Sequence, residues 1–400
     1  MFLEKEGKLI YSYDGETVCI EAWGKDALRV RATKNRSFTG RDWALEAKDA
    51  HAGEVEIFED PSAKGGAFAN MYEGTDTSYG KITNGKLHAV IDSGSVITFY
   101  HEDGRVLLKE HFRRLRDEES MPLNIMGREY SNGVGDNFRI VARFVARKGE
   151  KIFGMGQYQQ HELDLKGCML ELAQRNSQVS VPFYLSSIGY GFLWNNPGVG
   201  QVMFANNGTE WVTESGKEID YLVIAGDTPA EIEENYMTLT GKPPMMPEYG
   251  MGFWQCKLRY WNQEQLLSVA RKYKELGVPL DVIVVDFFHW TKQGEFKFDP
   301  KYWPDVPGMC RELKEMGIQV VVSVWPTVDI YSENFEEMKE KGYLVRTEHG
   351  VPLTMLCGGN EVFFDATNPD ARTYVWEKIK KNYYDQGAKL FWLDVAEPEY

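Results

Sequence analysis

Paired cysteines are missing from this sequence. Its five cysteines (Cys19, Cys168, Cys256, Cys310 and Cys357) are odd in number, and none stands in a Cys-x-x-Cys spacing. Neither a disulfide framework nor a zinc site is implied, and the usage fits a reducing, cytoplasmic setting. Excess positive charge is missing as well. A formal net charge of -15 leaves little basic surface to neutralise phosphates, which argues against nucleic acid or an anionic membrane surface as a partner. The one basic cluster, Arg113-Arg114-Leu115-Arg116, runs straight into Asp117-Glu118-Glu119 and reads as a solvated charged face. No run of about 18 apolar residues occurs, so no membrane span is expected. The start, Met1-Phe2-Leu3-Glu4-Lys5, lacks the basic-then-apolar order of a signal peptide. No second histidine stands at ligand spacing from His289, so that residue reads as a surface or hydrogen-bonded histidine and no metal is expected.

Aromatic residues, by contrast, are plentiful. They make up 13% of the chain, with 11 Trp and 21 Tyr. Sugar-binding sites use aromatic faces against the apolar sides of the ring, although large cores also consume Trp and Tyr. Four hundred residues exceed what one hydrophobic core organises, so two or more domains are expected.

The chain is written in two grammars. Up to about residue 225, short alternating runs are punctuated by Asp14-Gly15, Asn84-Gly85, Asp92-Ser93-Gly94 and Asp103-Gly104. Asn-Gly and Asp-Gly supply the positive φ angles of tight hairpins, and the pattern predicts an antiparallel β-sandwich. Thr228-Pro229-Ala230-Glu231 has the form of a capping box and opens a helix that should stop at Gly241. Pro243, Pro244 and Pro247 then mark the clearest linker, giving a sandwich domain over 1–241 and a second domain over 242–400.

Beyond the linker the order becomes strand, loop, helix, repeated. Strands are expected at Gly250–Trp254, Leu280–Val285, Gln319–Val324 and Lys389–Leu393. Helices are expected after Asn262, before Gly317, after Ser332 and after Asn368-Pro369. Strands apolar on both faces and separated by helices call for a parallel sheet covered by helices, either doubly wound or a barrel. Gly154-Met155-Gly156 lacks the third glycine of a dinucleotide fingerprint and lies in the β half, so it carries no nucleotide signal.

In such folds the reacting groups gather where the strands end. The second strand ends in Asp286, followed by Phe287, Phe288, His289 and Trp290; the third ends in Trp325; the fourth ends in Trp392-Leu393-Asp394, followed by Glu397 and Glu399. An aspartate at a strand end can simply cap the next helix. Two of them among tryptophans on one edge suit glycoside chemistry, where one carboxylate attacks or stabilises an oxocarbenium-like centre and another moves protons. On this reading alone Glu397 would be the proton donor.

The segment Trp392-Leu393-Asp394-Val395-Ala396-Glu397 resembles the nucleophile motif of glycoside hydrolase family 31. Further segments agree in order: Phe153-Gly154-Met155-Gly156-Gln157, Gly189 to Asn196, Gly252-Phe253-Trp254-Gln255, Gly277 to Val282, Phe298-Asp299-Pro300, Trp303-Pro304-Asp305 and Asp365 to Pro369. The resemblance implies a β-sandwich followed by a (β/α)8 barrel, a retaining α-glycosidase and no metal cofactor. It makes Asp394 the nucleophile, places Asp286 and Trp325 around the cleaved sugar, sets Arg259 and Trp254 at its border, and gives Glu397 a role in orienting Asp394. It also draws the acid/base aspartate from a later strand than the four read here. Only the first half of a barrel is then expected, and the 400 residues alone are expected to be inactive.

Family α-glucosidases carry Asp-Ile-Asp where this chain reads Asp286-Phe287-Phe288. A phenylalanine in place of the second acid removes a hydroxyl partner and fills the space of the C5 hydroxymethyl that xylose lacks. The resemblance therefore implies an α-xylosidase acting on an oligosaccharide or small glycoside. An α-glucosidase or α-transglucosylase is the alternative, and an inactive carbohydrate-binding fragment the non-enzymatic one. A homo-oligomer of the full-length protein is left open.

Overall fold

The structure, a computed structural model, describes residues 1–59, 78–92, 94–111, 113–115, 123–347, 349–355 and 360–397. Ser93, Cys357 and Glu399, singled out in the sequence, lie outside the described residues, as do Arg116 and the acidic run Asp117-Glu118-Glu119. The chain divides into two compact units, Met1–Pro243 and Pro244–Tyr400.

The first unit is antiparallel throughout. Its largest sheet runs in the order Phe2–Lys5, Lys8–Tyr13, Glu16–Trp23, Ala27–Thr33, Ile219–Ala225, Tyr190–Trp194, Val179–Ser186 and Ile152–Gln157, with Ala50–His51 pairing beside Glu16–Trp23. Two five-stranded sheets accompany it. One runs from Arg128–Asn132 to Met169–Leu172, and the other from Val106–Lys109 to Glu54–Glu59. Residues from all three sheets, including Ile20, Ile82, Phe99, Phe144, Trp194 and Trp211, share one buried core, which is what makes the unit a sandwich. The Asp14-Gly15 hairpin forms as expected: Tyr13 pairs with Glu16, and both turn residues have positive φ, 49° and 74°.

The Gly154-Met155-Gly156 segment turns out to be a bulge in the strand Ile152–Gln157. All three residues have positive φ, and the register against Val179–Ser186 shifts there. A side chain at 156 would run into the carbonyl oxygen of Val179, so glycine is required for the close approach.

The sandwich also buries charge. The Arg128 guanidinium donates to Glu110, to both oxygens of Glu16 and to Ser95. The Arg29 guanidinium donates to both oxygens of Asp220 and to Asp42. Interior arginines matched by forked hydrogen bonds to carboxylates keep the cost of burying charge within bounds.

The helix Pro229–Thr240 closes the first unit. Thr228 caps it by accepting from the N–H of Glu231, while Glu231 reaches back to the N–H of Asp227.

In the second unit four strands are hydrogen-bonded in parallel, in the order Trp254–Gln255, Val282–Val285, Gln319–Val324 and Leu390–Leu393. Helices Gln263–Glu275, Val306–Glu315 and Pro369–Ile379 alternate with them, and a shorter helix, Phe335–Glu340, follows the third strand. Val282 to Val285 are all buried, as expected of strands covered on both faces. Two local expectations need correction. Gly250 and Met251 belong to a 3-10 turn, Glu248–Met251, and the first strand covers only Trp254–Gln255. The third helix starts after Asn334 rather than Ser332. Asn334 is used elsewhere, donating to the Gly294 carbonyl, and the Ser332 hydroxyl accepts from the Asn334 N–H in the turn before the helix.

Candidate active site

Parallel pairing fixes which residues share an edge. Val285 pairs with Val322, and Val324 pairs with Leu393, so Asp286, Trp325 and Asp394 all leave the sheet at its carboxyl end. Asp394 is tied back to the sheet, its N–H donating to the carbonyl of Val324. One side of its carboxylate (Oδ1) accepts from the N–H of Val395, and the other (Oδ2) accepts from Trp325 Nε1 at 3.1 Å. Val395 has a φ of 58°, unusual for a β-branched residue. The chain therefore turns sharply just past the carboxylate and holds its N–H toward it. Trp325, expected from the sequence to line a subsite, is the donor that orients Asp394.

Asp286 is 7% exposed. Its Oδ1 accepts from the N–H of Phe287 and its Oδ2 from the thiol of Cys256 at 3.4 Å. The two interactions fix both oxygens. Burial pushes the Cys256 thiol up to about 11, with the Asp286 charge adding to the effect, so at neutral pH the sulfur keeps its proton and donates. No lysine or arginine among the described residues lies within ion-pair distance of Asp286, and its negative charge is held by neutral donors.

The two phenylalanines after Asp286 fold over the same edge. Their rings meet at 4.5 Å, and Phe287 and Phe288 lie 5.2 and 6.4 Å from the ring of Trp325. Trp290 approaches the same indole at 6.1 Å. Phe288 has a φ of 60°, a strained conformation for a bulky residue, and is half exposed. Arg259 reaches across from the loop after the first strand. It donates to the Phe288 carbonyl at 2.9 Å, with its guanidinium stacked between Phe288 and Trp261. Asp286, Phe287, Phe288, Arg259, Trp325 and Asp394 therefore form one contiguous group.

Three other residues singled out in the sequence stand apart. Trp254 is 44% exposed on the first strand and donates through its indole to Gly250. Trp392 is 43% exposed on the last strand of the sheet. Glu397 is partly buried, and its Oε2 has no hydrogen-bond partner among the described residues.

Sequence reasoning missed Cys256 and the buried position of His289. The first belongs to the quoted block Gly252 to Gln255 only by adjacency, and a lone cysteine gives no signal of its own. His289 is 2% exposed, and burial lowers its pKa to about 4. Its Nδ1 lies 2.9 Å from the Asp286 carbonyl and its Nε2 2.9 Å from the Tyr383 hydroxyl. Among the described residues no group of three or more His, Cys, Asp or Glu is arranged to hold a metal ion.

Residues 243–400 match the glycosyl hydrolases family 31 TIM-barrel domain, and residues 17–202 match the glycosyl hydrolase 31 N-terminal galactose mutarotase-like domain. An uncharacterized family 31 glucosidase of Pseudescherichia vulneris is 44% identical over 100% of this chain and 74% of its own length. α-Xylosidase A of Aspergillus niger is 31% identical over 96% of this chain and 52% of its own. The crystal structure of a GH31 α-xylosidase from a soil metagenome, complexed with xylose, superposes with a TM-score of 0.90 at 48% identity. It is matched over 100% of this chain and 58% of its own length. The chain thus spans a little over half of two of these relatives and about three quarters of the third. With both domains matched in order, and a relative 44% identical along the whole chain, this protein belongs to glycoside hydrolase family 31.

Proposed function

We propose that the protein is a retaining α-xylosidase in which Asp394 attacks the anomeric carbon of an α-linked xylose. Asp286 and Trp325 bind the sugar, and Phe287 and Phe288 close the space beyond C5. Double displacement suits the arrangement. A carboxylate oriented by Trp325 Nε1 forms a glycosyl ester, and water then releases the sugar with its α configuration kept. The acid/base carboxyl comes from a part of the barrel beyond the four strands described here. Glu397 supports the nucleophile, with Arg259, Trp254 and Trp392 bordering the subsite. The substrate is an oligosaccharide or small glycoside met in the cytoplasm.

The observation that carries the reading is the packing of Phe287 and Phe288 on Trp325 directly beside the buried Asp286. An acidic side chain at 288 would offer a partner to a C6 hydroxyl; a phenyl ring offers none and occupies its volume. Sites built around a hydroxyl partner discriminate strongly, whereas a filled apolar pocket discriminates by roughly 1–3 kcal/mol per misfit group. Two of the relatives, in Aspergillus niger and in the soil metagenome, are named α-xylosidases, whereas that of Pseudescherichia vulneris is named a family 31 glucosidase.

The test is the ratio of kcat/KM for an aryl α-xyloside over the matching aryl α-glucoside, measured in the full-length enzyme. The ratio is expected to exceed about 10, and Phe287→Ile with Phe288→Asp should move it toward glucoside by roughly 10- to 200-fold. Equal or faster hydrolysis of the glucoside by the unmodified enzyme would refute the substrate assignment and favour an α-glucosidase or α-transglucosylase.

A further inference from the structure

We infer that His289 is a positioning residue, fastening the loop Asp286–Phe288 to the segment that leads into the fourth strand and so maintaining the choice between sugars. The inference rests on the xyloside reading above for its functional consequence, but not for its geometry.

A main-chain carbonyl can only accept. Because His289 Nδ1 faces the Asp286 carbonyl, Nδ1 carries the proton and donates. In the neutral ring Nε2 is then an acceptor, and the group that faces it, the Tyr383 hydroxyl, donates to it. Burial favours the neutral ring, which keeps this tautomer in place at neutral pH. Tyr383 is 1% exposed and sits in a turn of π-helix, Lys380–Tyr384, just before the strand Leu390–Leu393 that ends at Asp394. Phe298 and Trp290 pack on the imidazole at 4.9 and 4.7 Å and fix its plane. His289 is thus a bridge between the two stretches of chain that carry Asp286 and Asp394.

The bridge has a mechanical purpose. Phe288 is held at positive φ immediately before His289. Such a conformation persists only where its surroundings over-determine it. Two anchors flank it: the Arg259 guanidinium on the Phe288 carbonyl, and His289 on the Asp286 carbonyl. Arg259 is an exposed contact, while His289 is buried and cannot yield to solvent. Releasing the imidazole frees the Asp286 carbonyl and lets the loop relax, so that the Phe287 and Phe288 rings lose their seat on Trp325.

Two variants of the full-length enzyme test this. Tyr383→Phe deletes only the hydroxyl. His289→Asn keeps an amide donor near the Nδ1 position but loses the link to Tyr383. Each should move the xyloside-to-glucoside ratio of kcat/KM toward glucoside by about two- to tenfold, the range for one buried neutral hydrogen bond. The double variant should go no further than His289→Asn, because Tyr383 acts through the ring. A lower melting temperature with an unchanged ratio in both variants would overturn the inference and leave His289 a core residue only. A second readout is independent of turnover. Nitrogen-15 NMR of histidine-labelled protein should show the His289 ring as the neutral Nδ1–H tautomer down to pH about 5, well below the ordinary titration of about 6.5. An Nε2–H tautomer, or titration at the ordinary pH, would contradict the bridge. Were the unmodified enzyme to prefer glucoside, the substrate reading would fall while the NMR result would still decide the role of His289.

Discussion

Two acids of the sandwich and two of the barrel unit are held in opposite ways. In the sandwich, Glu110 and Asp220 are each met by an arginine that is itself inside the protein. At the barrel edge the contacts that hold Asp286 and Asp394 include a thiol, an indole and main-chain N–H groups. On the proposed function, the difference separates charge used for folding from charge kept for chemistry. A carboxylate locked to a buried arginine, through both oxygens in Asp220, is stable and a poor nucleophile. One held by neutral donors, as Asp286 is, keeps its charge available to a developing positive centre.

The comparison breaks most visibly on the sandwich side. Arg128→Met leaves Glu110 buried without its cation, and burial already pushes the Glu110 carboxyl up against the pull of that arginine. Loss of one member of a buried pair costs about 3–5 kcal/mol, so denaturant unfolding of the sandwich should shift by that amount. A shift under about 1 kcal/mol would mean that the pair is not what supports this core.

A smaller effect is expected from the buried neutral histidine of the barrel unit. Its folded pKa of about 4 lies below the unfolded value, so the folded state takes up the proton less readily. The stability it contributes is complete above pH ~6.5 and is lost as the pH falls toward 4, on the order of 3 kcal/mol across that window. His289→Asn removes this slope. Melting curves recorded from pH 7 to pH 4 should therefore converge for variant and parent as the pH drops, and parallel curves would contradict the assignment.

The smallest expected change in stability comes with a functional loss. Trp325→Phe keeps an aromatic ring against Phe287 but removes the donor to Asp394. A hydrogen bond to a charged group contributes about 1.5–3 kcal/mol, which predicts a fall in kcat of roughly 10- to 100-fold. The melting temperature should move much less than for Arg128→Met. Unfolding without a change in kcat would place Trp325 with the structural residues.

The architecture was legible in the sequence because its signals are local. Asp14-Gly15 predicts a hairpin without reference to anything distant, and Val282–Val285 and Gln319–Val324 can only be strands buried on both faces. The positions of Asp286, Trp325 and Asp394 followed from strand ends, and the roles proposed for them rest on the family resemblance. What stayed hidden depends on contacts between remote residues. Nothing near Trp325 announces that its indole will reach a residue 69 positions away, and His289 meets Tyr383 across 94. The start of the helix Phe335–Glu340 was misplaced for a related reason: Ser332 and Asn334 both have capping chemistry, and the choice was made by the turn leading into the helix.

In the proposed mechanism Asp394, oriented by Trp325, forms a covalent bond to xylose. Incubating the full-length enzyme with a fluorinated α-xylosyl donor slows the second step and lets the ester accumulate. Peptide mass mapping should then find one fluoroxylosyl group on the peptide carrying Trp392 to Val395, attached to Asp394. The same label on Glu397 or Asp286, or release of β-xylose as the first product by proton NMR, would contradict the account.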